Sequence, residues 1–429
     1  MSLFLIFLVF IVAFFGNLFV EYQIIPAEFT LLSEISVYFL FCYALFRKTF
    51  NTTKLSFHLW HIYLFFIISA LCSALLNGYL GIRLLIGLRP ILRFYIFYLA
   101  IINLDLSEKQ FKHINKLLFL IFFLQLPASA IRFMYFGISE LTIGTWGSHG
   151  GGLTPIIPII ALGFLAGFYI FWKKKIIFPL LSLAFVLFGI VGAKRVLFFL
   201  YPVAFLGIYY LGYIKDGKVP FYKHLGLLVS IIAVIIFVQI FMMKNIDTLN
   251  PEHKVHGSIN YSYVLNYAKK YETQKAATGG AGGRFSTLML AYKTVFKAGI
   301  GHGFFGFGPG AATGSKLDKK FHLDKRISRY VKSYGQTGMT HILVEYGLFG
   351  LLLISSVFLI FICRSLKWFD LEIEPYWKAM ALGAVVFTGL EAFIFFFYNT
   401  TPIVGDTIVP VYFYVMSLMF YRLKKLAVY

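Results

Sequence analysis

Residues 279–353 decide how this chain is read. They run GGAGGRFSTLMLAYKTVFKAG (279–299), GIGHGFFGFGPGAATG (299–314) and, after a basic interval, GQTGMTHILVEYGLFGLLL (335–353). The first two pieces lie in the one long polar interval of an oily sequence, and the third leads back into apolar residues. The stretch holds an isolated arginine (Arg284), a glycine-rich loop including Gly301 and Gly303, and a histidine (His341) where a helix is expected to enter lipid. Cations and free backbone N–H groups at a water–lipid boundary suit an anionic head group on an apolar tail.

Outward from this stretch the composition is that of a membrane protein. Of 429 residues, 59% are hydrophobic and 20% aromatic, only 13% are charged, and the mean hydropathy is +0.80. Soluble domains carry roughly twice that share of charge. Twelve apolar windows, each roughly 17–23 residues long, read as spans. They are 3–20, 29–46, 58–76, 84–103, 114–134, 153–172, 176–192, 195–213, 223–243, 341–363, 376–398 and 402–421. The expected fold is therefore an all-α polytopic membrane protein with about 12 transmembrane helices. It divides into 1–243 (spans one to nine), a large extracytoplasmic loop at 244–340, and 341–429 (spans ten to twelve).

Charge orients this arrangement. Every second short connection is basic (Lys112, Lys174, Lys218, Lys367, Lys424), whereas those between hold Glu21, Glu140 or Asn399. The positive-inside rule places both termini in the cytoplasm and 244–340 outside. The net charge of +21 does not imply nucleic acid, because no basic soluble surface is visible. Anionic lipid or an anionic substrate accounts for it better. The three cysteines all lie in apolar runs, so no disulfide framework is implied. Residues 3–20 lack a basic leader and a small-residue cleavage site, and read as a retained span.

Several residues could carry chemistry. Arg284 opens a helix expected over 284–298, with glycines before it that permit close approach of a ligand; a solvated linker is the alternative. Arg195, beside Lys194, sits where two spans meet, and the alternative there is snorkelling to lipid phosphates. Arg89 and Arg93 share one helix face and need an anion, or an acidic partner such as Glu34 or Glu391. His341 and Glu345 share a face at i, i+4, as a general base and its orienting group would; they could also merely finish a helix end. His302 and His149 are weaker candidates. No zinc-ligand spacing and no Asp-x-Asp pair occurs, so a metal-dependent sugar-nucleotide enzyme is disfavoured and no cofactor is expected.

The chain resembles the O-antigen polymerase/ligase superfamily of bacterial membrane glycosyltransferases. GGRFSTLMLAYKTVF resembles that family's Gly-Arg helix, and GIGHGFFGFGPG its glycine-rich loop segment. HILVEYGLFGLLL resembles its E-x-G return to the membrane, through Glu345, Gly347 and Gly350. GAKRVLFFLYPV resembles its arginine-bearing start of a mid-chain span. The spacing at which many ligase-type members carry a His-Asn pair falls here on Gln336 and Thr337; the nearby histidine is His341. The resemblance implies a glycan on undecaprenyl diphosphate in the bacterial inner membrane, with an acceptor sugar hydroxyl displacing the lipid diphosphate. It implies Arg195 and Arg284, with Arg89, Gly301 and Gly303, on the diphosphate, and His341 or Glu345 on the hydroxyl. Other implied partners are a glycan or lipid acceptor, a chain-length regulator and a flippase. The expected function is polymerisation of repeat units into a surface polysaccharide. The alternatives are a ligase moving a finished glycan, and a polysaccharide-lipid transporter.

Overall fold

The structure is a computed structural model. It describes residues 1–46, 57–78, 81–142, 144–146, 152–215, 221–273, 283–312, 327–331, 335–405 and 407–426. His149, Tyr334, the glycines at 279, 280 and 282 and all of the basic interval 313–326 lie outside these residues.

Every described element is helical. Five long helices open the chain: α1 (Ser2–Glu21), α2 (Leu31–Phe46), α3 (Phe57–Leu76), α4 (Ile82–Asn103) and α5 (Glu108–Phe136). Then come α6 (Ile156–Gly167), α7 (Ile177–Val191), α8 (Leu197–Tyr209) and α9 (Phe221–Asn245). The polar interval contributes α10 (Tyr261–Thr273), α11 (Arg284–Lys297), α12 (Ile300–Phe305) and α13 (Ser328–Val331). The chain closes with α14 (Gly338–Leu371), α15 (Pro375–Phe397), α16 (Thr401–Val404) and α17 (Ile408–Leu426).

Nine helical segments among the described residues are long and apolar enough to cross a membrane, so this is an all-α membrane protein. Two further apolar helices, Ile156–Trp172 and Ile177–Val191, are shorter. The second has 15 residues and rises only about 22 Å, less than the hydrocarbon thickness. Each of the twelve apolar windows overlaps a helix, but two are interrupted. The window at 402–421 divides into α16, with Pro402 in its first turn, and α17. The window opening at 341 contains Gly347, whose φ of 66° breaks α14 after its first turns.

The core is built around α15, which packs on α6 and α14. Small residues let α6 and α15 approach closely. A Cβ at Gly167 would stand 2.5 Å from the Ala379 carbonyl oxygen, and one at Gly383 would stand 2.1 Å from the Phe164 ring. At the α15 N-terminus the helix ends are tied by charge. Arg422, 3% exposed, donates to both carboxylate oxygens of Glu372 (2.9 and 2.8 Å), and Glu108 accepts from Lys112 and Lys425, each at 2.8 Å. A buried arginine needs such partners, since an unpaired one costs several kcal/mol. The start of α5 and the ends of α14 and α17 are thereby gathered at one end of the bundle, and the candidate site lies at the other.

Candidate functional site

The α7–α8 turn brings the first cations to that other end. It is tight: Ala193 has φ 53°, and a Cβ at Gly192 would stand 2.0 Å from the Thr154 methyl. Lys194 and Arg195 leave this turn just before α8 begins. Arg284 arrives from elsewhere in the sequence as the first residue of α11. Gly283 before it lies against the last turn of α10, where a Cβ would stand 2.2 Å from the Glu272 carbonyl oxygen. The Gly-Arg pair is thus explained by packing: the glycine lets two helix ends meet, and the meeting fixes the arginine.

Lys194, Arg195 and Arg284 line one cavity of about 410 Å³. Its wall also includes Glu140, Glu272, three tyrosines (Tyr267, Tyr271 and Tyr398), and Phe199, Phe393 and Phe397. Phe199 and Phe397 are 39% and 62% exposed, so one side of the cavity has an exposed apolar rim.

Each guanidinium is positioned by two kinds of contact. Arg195 donates to the Tyr267 hydroxyl at 2.6 Å, and its guanidinium lies over the Tyr267 and Tyr271 rings at 5.1 and 4.5 Å. Tyr267 and Tyr271 sit one turn apart on α10, so a single helix face cradles it. Arg284 donates its Nε–H to the Tyr398 carbonyl at 2.8 Å and stacks 4.7 Å over the Tyr398 ring. Its Nη1 pairs with Glu272, whose other carboxylate oxygen accepts the Arg284 backbone N–H at 3.2 Å. Lys194 pairs with Glu140 at 2.6 Å. Burial pushes the Lys194 ammonium below the ordinary lysine range; Glu140 opposes this, while Arg195 and Arg284 add repulsion.

Three cations against two carboxylates leave the cavity positive. It offers forked donors for phosphate oxygens, tyrosine faces for sugar rings, and an apolar side for a lipid chain. Glu140, with its side chain 63% exposed, is the more open of the two carboxylates in the cavity. Among the described residues no cluster of three His, Cys, Asp or Glu side chains could hold a metal ion.

The other residues singled out in the sequence lie elsewhere. Arg89 and Arg93 both pair with Glu34 on α2, at 2.7 and 3.5 Å. His341 and Glu345 are buried on the first turns of α14, with His341 Nε2 3.6 Å from Glu345 Oε1. Glu345 accepts the backbone N–H groups of Gly310 (3.1 Å) and Ala312 (2.8 Å), so the glycine-rich loop spends these donors on a protein carboxylate. The loop's next contacts are also internal. Phe307 and Gly308 donate to the Val344 and Glu345 carbonyls that the Gly347 break releases. Gly306 and Gly347, both with positive φ, let the two backbones touch. Gly303 packs on Phe296, Gly301 faces Leu76, His302 meets the Asn77 amide oxygen at 3.2 Å, and Gln336 donates to the Tyr330 and Val331 carbonyls. None of these residues lines the cavity of Arg195 and Arg284. Of the aromatic residues of the outer loops, Trp146 and Phe307 are buried and offer no ring face, whereas Phe304 is 47% exposed.

No protein-family model matches the chain, and no curated protein matches it.

The residues missed by sequence reading are Glu140, Glu272, Tyr267, Tyr271 and Tyr398. A signal existed for two of them: tyrosines at 263, 267 and 271 recur every fourth residue, marking one face of α10.

Proposed function

We propose that this chain is a bacterial membrane glycosyltransferase that polymerises oligosaccharide repeat units carried on undecaprenyl diphosphate. The observation that carries the reading is the meeting of Lys194, Arg195 and Arg284 in one tyrosine-lined cavity with an exposed apolar rim. The resemblance of the Gly-Arg helix and of the α14 start to the O-antigen polymerase/ligase superfamily supports it. In this reading all twelve apolar helical stretches cross the cytoplasmic membrane, both termini are cytoplasmic, and 244–340 faces outward.

The carrier enters past Phe199 and Phe397, its diphosphate resting against Arg195, Arg284 and Lys194. An acceptor sugar hydroxyl attacks the anomeric carbon, the bond from that carbon to the diphosphate oxygen breaks, and the hydroxyl proton passes to Glu140. Negative charge growing on the departing diphosphate is met by cations already in place. Glu272 and the tyrosines keep those cations from rearranging. His341 and Glu345 act at a distance, by fixing the glycine-rich loop on α14.

The test is reconstitution of the purified protein in liposomes with a lipid-diphosphate-linked repeat unit. A ladder of products growing on the carrier is expected. Transfer of a preformed long glycan to a separate acceptor, with no ladder, would mark a ligase. Movement of unaltered substrate across the bilayer would mark a transporter.

A further inference from the structure

A second cavity, of about 530 Å³, lies at the other end of α15, beside Glu374 and Tyr376. The first turns of α5 build most of it. Lys109, Lys112, His113 and Lys116 fall on one helix face, and Phe119 and Phe123 continue that face deeper into the bundle. Across from them stand Phe168 and Trp172, from the π-helical turn that ends α6, and Phe178 of α7. The cavity is cationic at its mouth and aromatic at its floor.

The charges at the mouth are unevenly matched. Lys112 is 2.8 Å from Glu108 and 3.6 Å from Glu374, and Glu108 is also held by Lys425. Lys109, His113 and Lys116 are exposed, and Glu374 is the carboxylate among the residues that line the cavity with them. Lys173 lies 4.5 Å over the Trp172 ring at the same rim. Tryptophan and lysine at a helix end mark the head-group level of a bilayer.

We infer that this cavity binds a membrane phospholipid with an anionic head group, its phosphate among Lys109, Lys112 and Lys116 and an acyl chain along Phe119, Phe123 and Phe178. Charge complementarity selects the head group, since a choline ammonium would meet three lysines. The aromatic floor selects a lipid over free phosphate, which would leave those rings wet. The site is separate from the Arg195–Arg284 cavity, and the inference stands whatever that cavity binds.

The test is a titration of purified protein in non-ionic detergent with phosphatidylglycerol carrying brominated acyl chains, reading tryptophan quenching. Saturable quenching is expected in the wild type and mostly lost in Trp172→Phe. Lys109→Gln/Lys116→Gln should need roughly 25-fold more lipid, at about five-fold per lysine, whereas Lys424→Gln at the same end should titrate as wild type. Brominated phosphatidylcholine quenching equally well would overturn the inference. So would a double variant indistinguishable from wild type, undiminished quenching in Trp172→Phe, or full displacement by free glycerol phosphate at equal concentration.

Discussion

Arg195 and Arg284 reach the same cavity from different parts of the chain, one leaving the α7–α8 turn and the other opening α11. Each guanidinium is stacked on tyrosine and hydrogen-bonded, Arg195 to the Tyr267 hydroxyl and Arg284 to both the Tyr398 carbonyl and Glu272, so its direction is set before any ligand arrives. Preorganised charge of this kind loses little by reorientation when an anion binds or departs.

Arg195→Ala and Arg284→Ala should each lower glycan polymerisation by about 10²–10³-fold, with protein in the membrane near its normal level. Lys at either position keeps the charge but loses the fork and the stacking, and should recover only part of the rate. Product chain length on a gel, set against immunoblot of the membrane fraction, measures both. Wild-type chains from both alanine variants would remove the cavity from the mechanism.

Lys194 gives the cavity a pH dependence. Its ammonium attracts an anion, so its contribution is complete at low pH and is lost as pH rises through its folded pKa. Burial has lowered that pKa below the ordinary 10.5, so affinity for a diphosphate analogue should begin to fall below that pH. Lys194→Arg, charged throughout, should abolish this alkaline limb. For folding the sign reverses. The native state binds fewer protons than the unfolded chain here, so stability attributable to Lys194 rises with pH towards 10.5. Calorimetric titration from pH 7 upward is the measurement, and an unchanged limb in the arginine variant would exclude Lys194 as its source.

Glu345 separates a structural role from a chemical one. Glu345→Gln puts an amide where two backbone N–H groups now find carboxylate oxygens, and should lower stability by about 1–3 kcal/mol. Activity per folded molecule should remain within about two-fold of wild type, since Glu345 acts on the loop and not on substrate. Thermal unfolding in detergent, with activity normalised to folded protein, distinguishes the two. A loss of activity without loss of stability would return Glu345 to the chemistry.

Gly347 should be equally intolerant, for a backbone reason. At φ 66°, with a Cβ that would stand 2.3 Å from the Phe304 backbone, Gly347→Ala strains the chain and pushes the loop off the helix. A loss of about 2 kcal/mol or more is expected. Gly207→Ala, which meets no neighbour within 4 Å, is the control in the same unfolding experiment.

The helices were legible because hydropathy sums over many residues, and a window need not be right at every position to mark a span. Its ends were less so. The break at Gly347 is set by the approach of Phe304 and Phe305, which a local window does not register. Arg284 stood out as a lone cation after glycines, and Arg195 as a charge between apolar runs. Their counter-ions did not stand out. Glu272 looked like one more acidic residue in a polar interval, because its role depends on two helix ends meeting across the intervening 274–282 segment. The glycine-rich loop looked open to a ligand for a related reason: that Glu345 takes the N–H groups of Gly310 and Ala312 is a long-range fact.

The rim formed by Phe199 and Phe397 has a kinetic consequence. Under the proposed function, a carrier admitted sideways through it would never pass through bulk water, and the concentration governing turnover would be the number of carriers per unit of leaflet area. Adding inert phospholipid to proteoliposomes, with protein and carrier amounts held constant, should then slow the enzyme by surface dilution, whereas changing the aqueous volume should leave its rate alone.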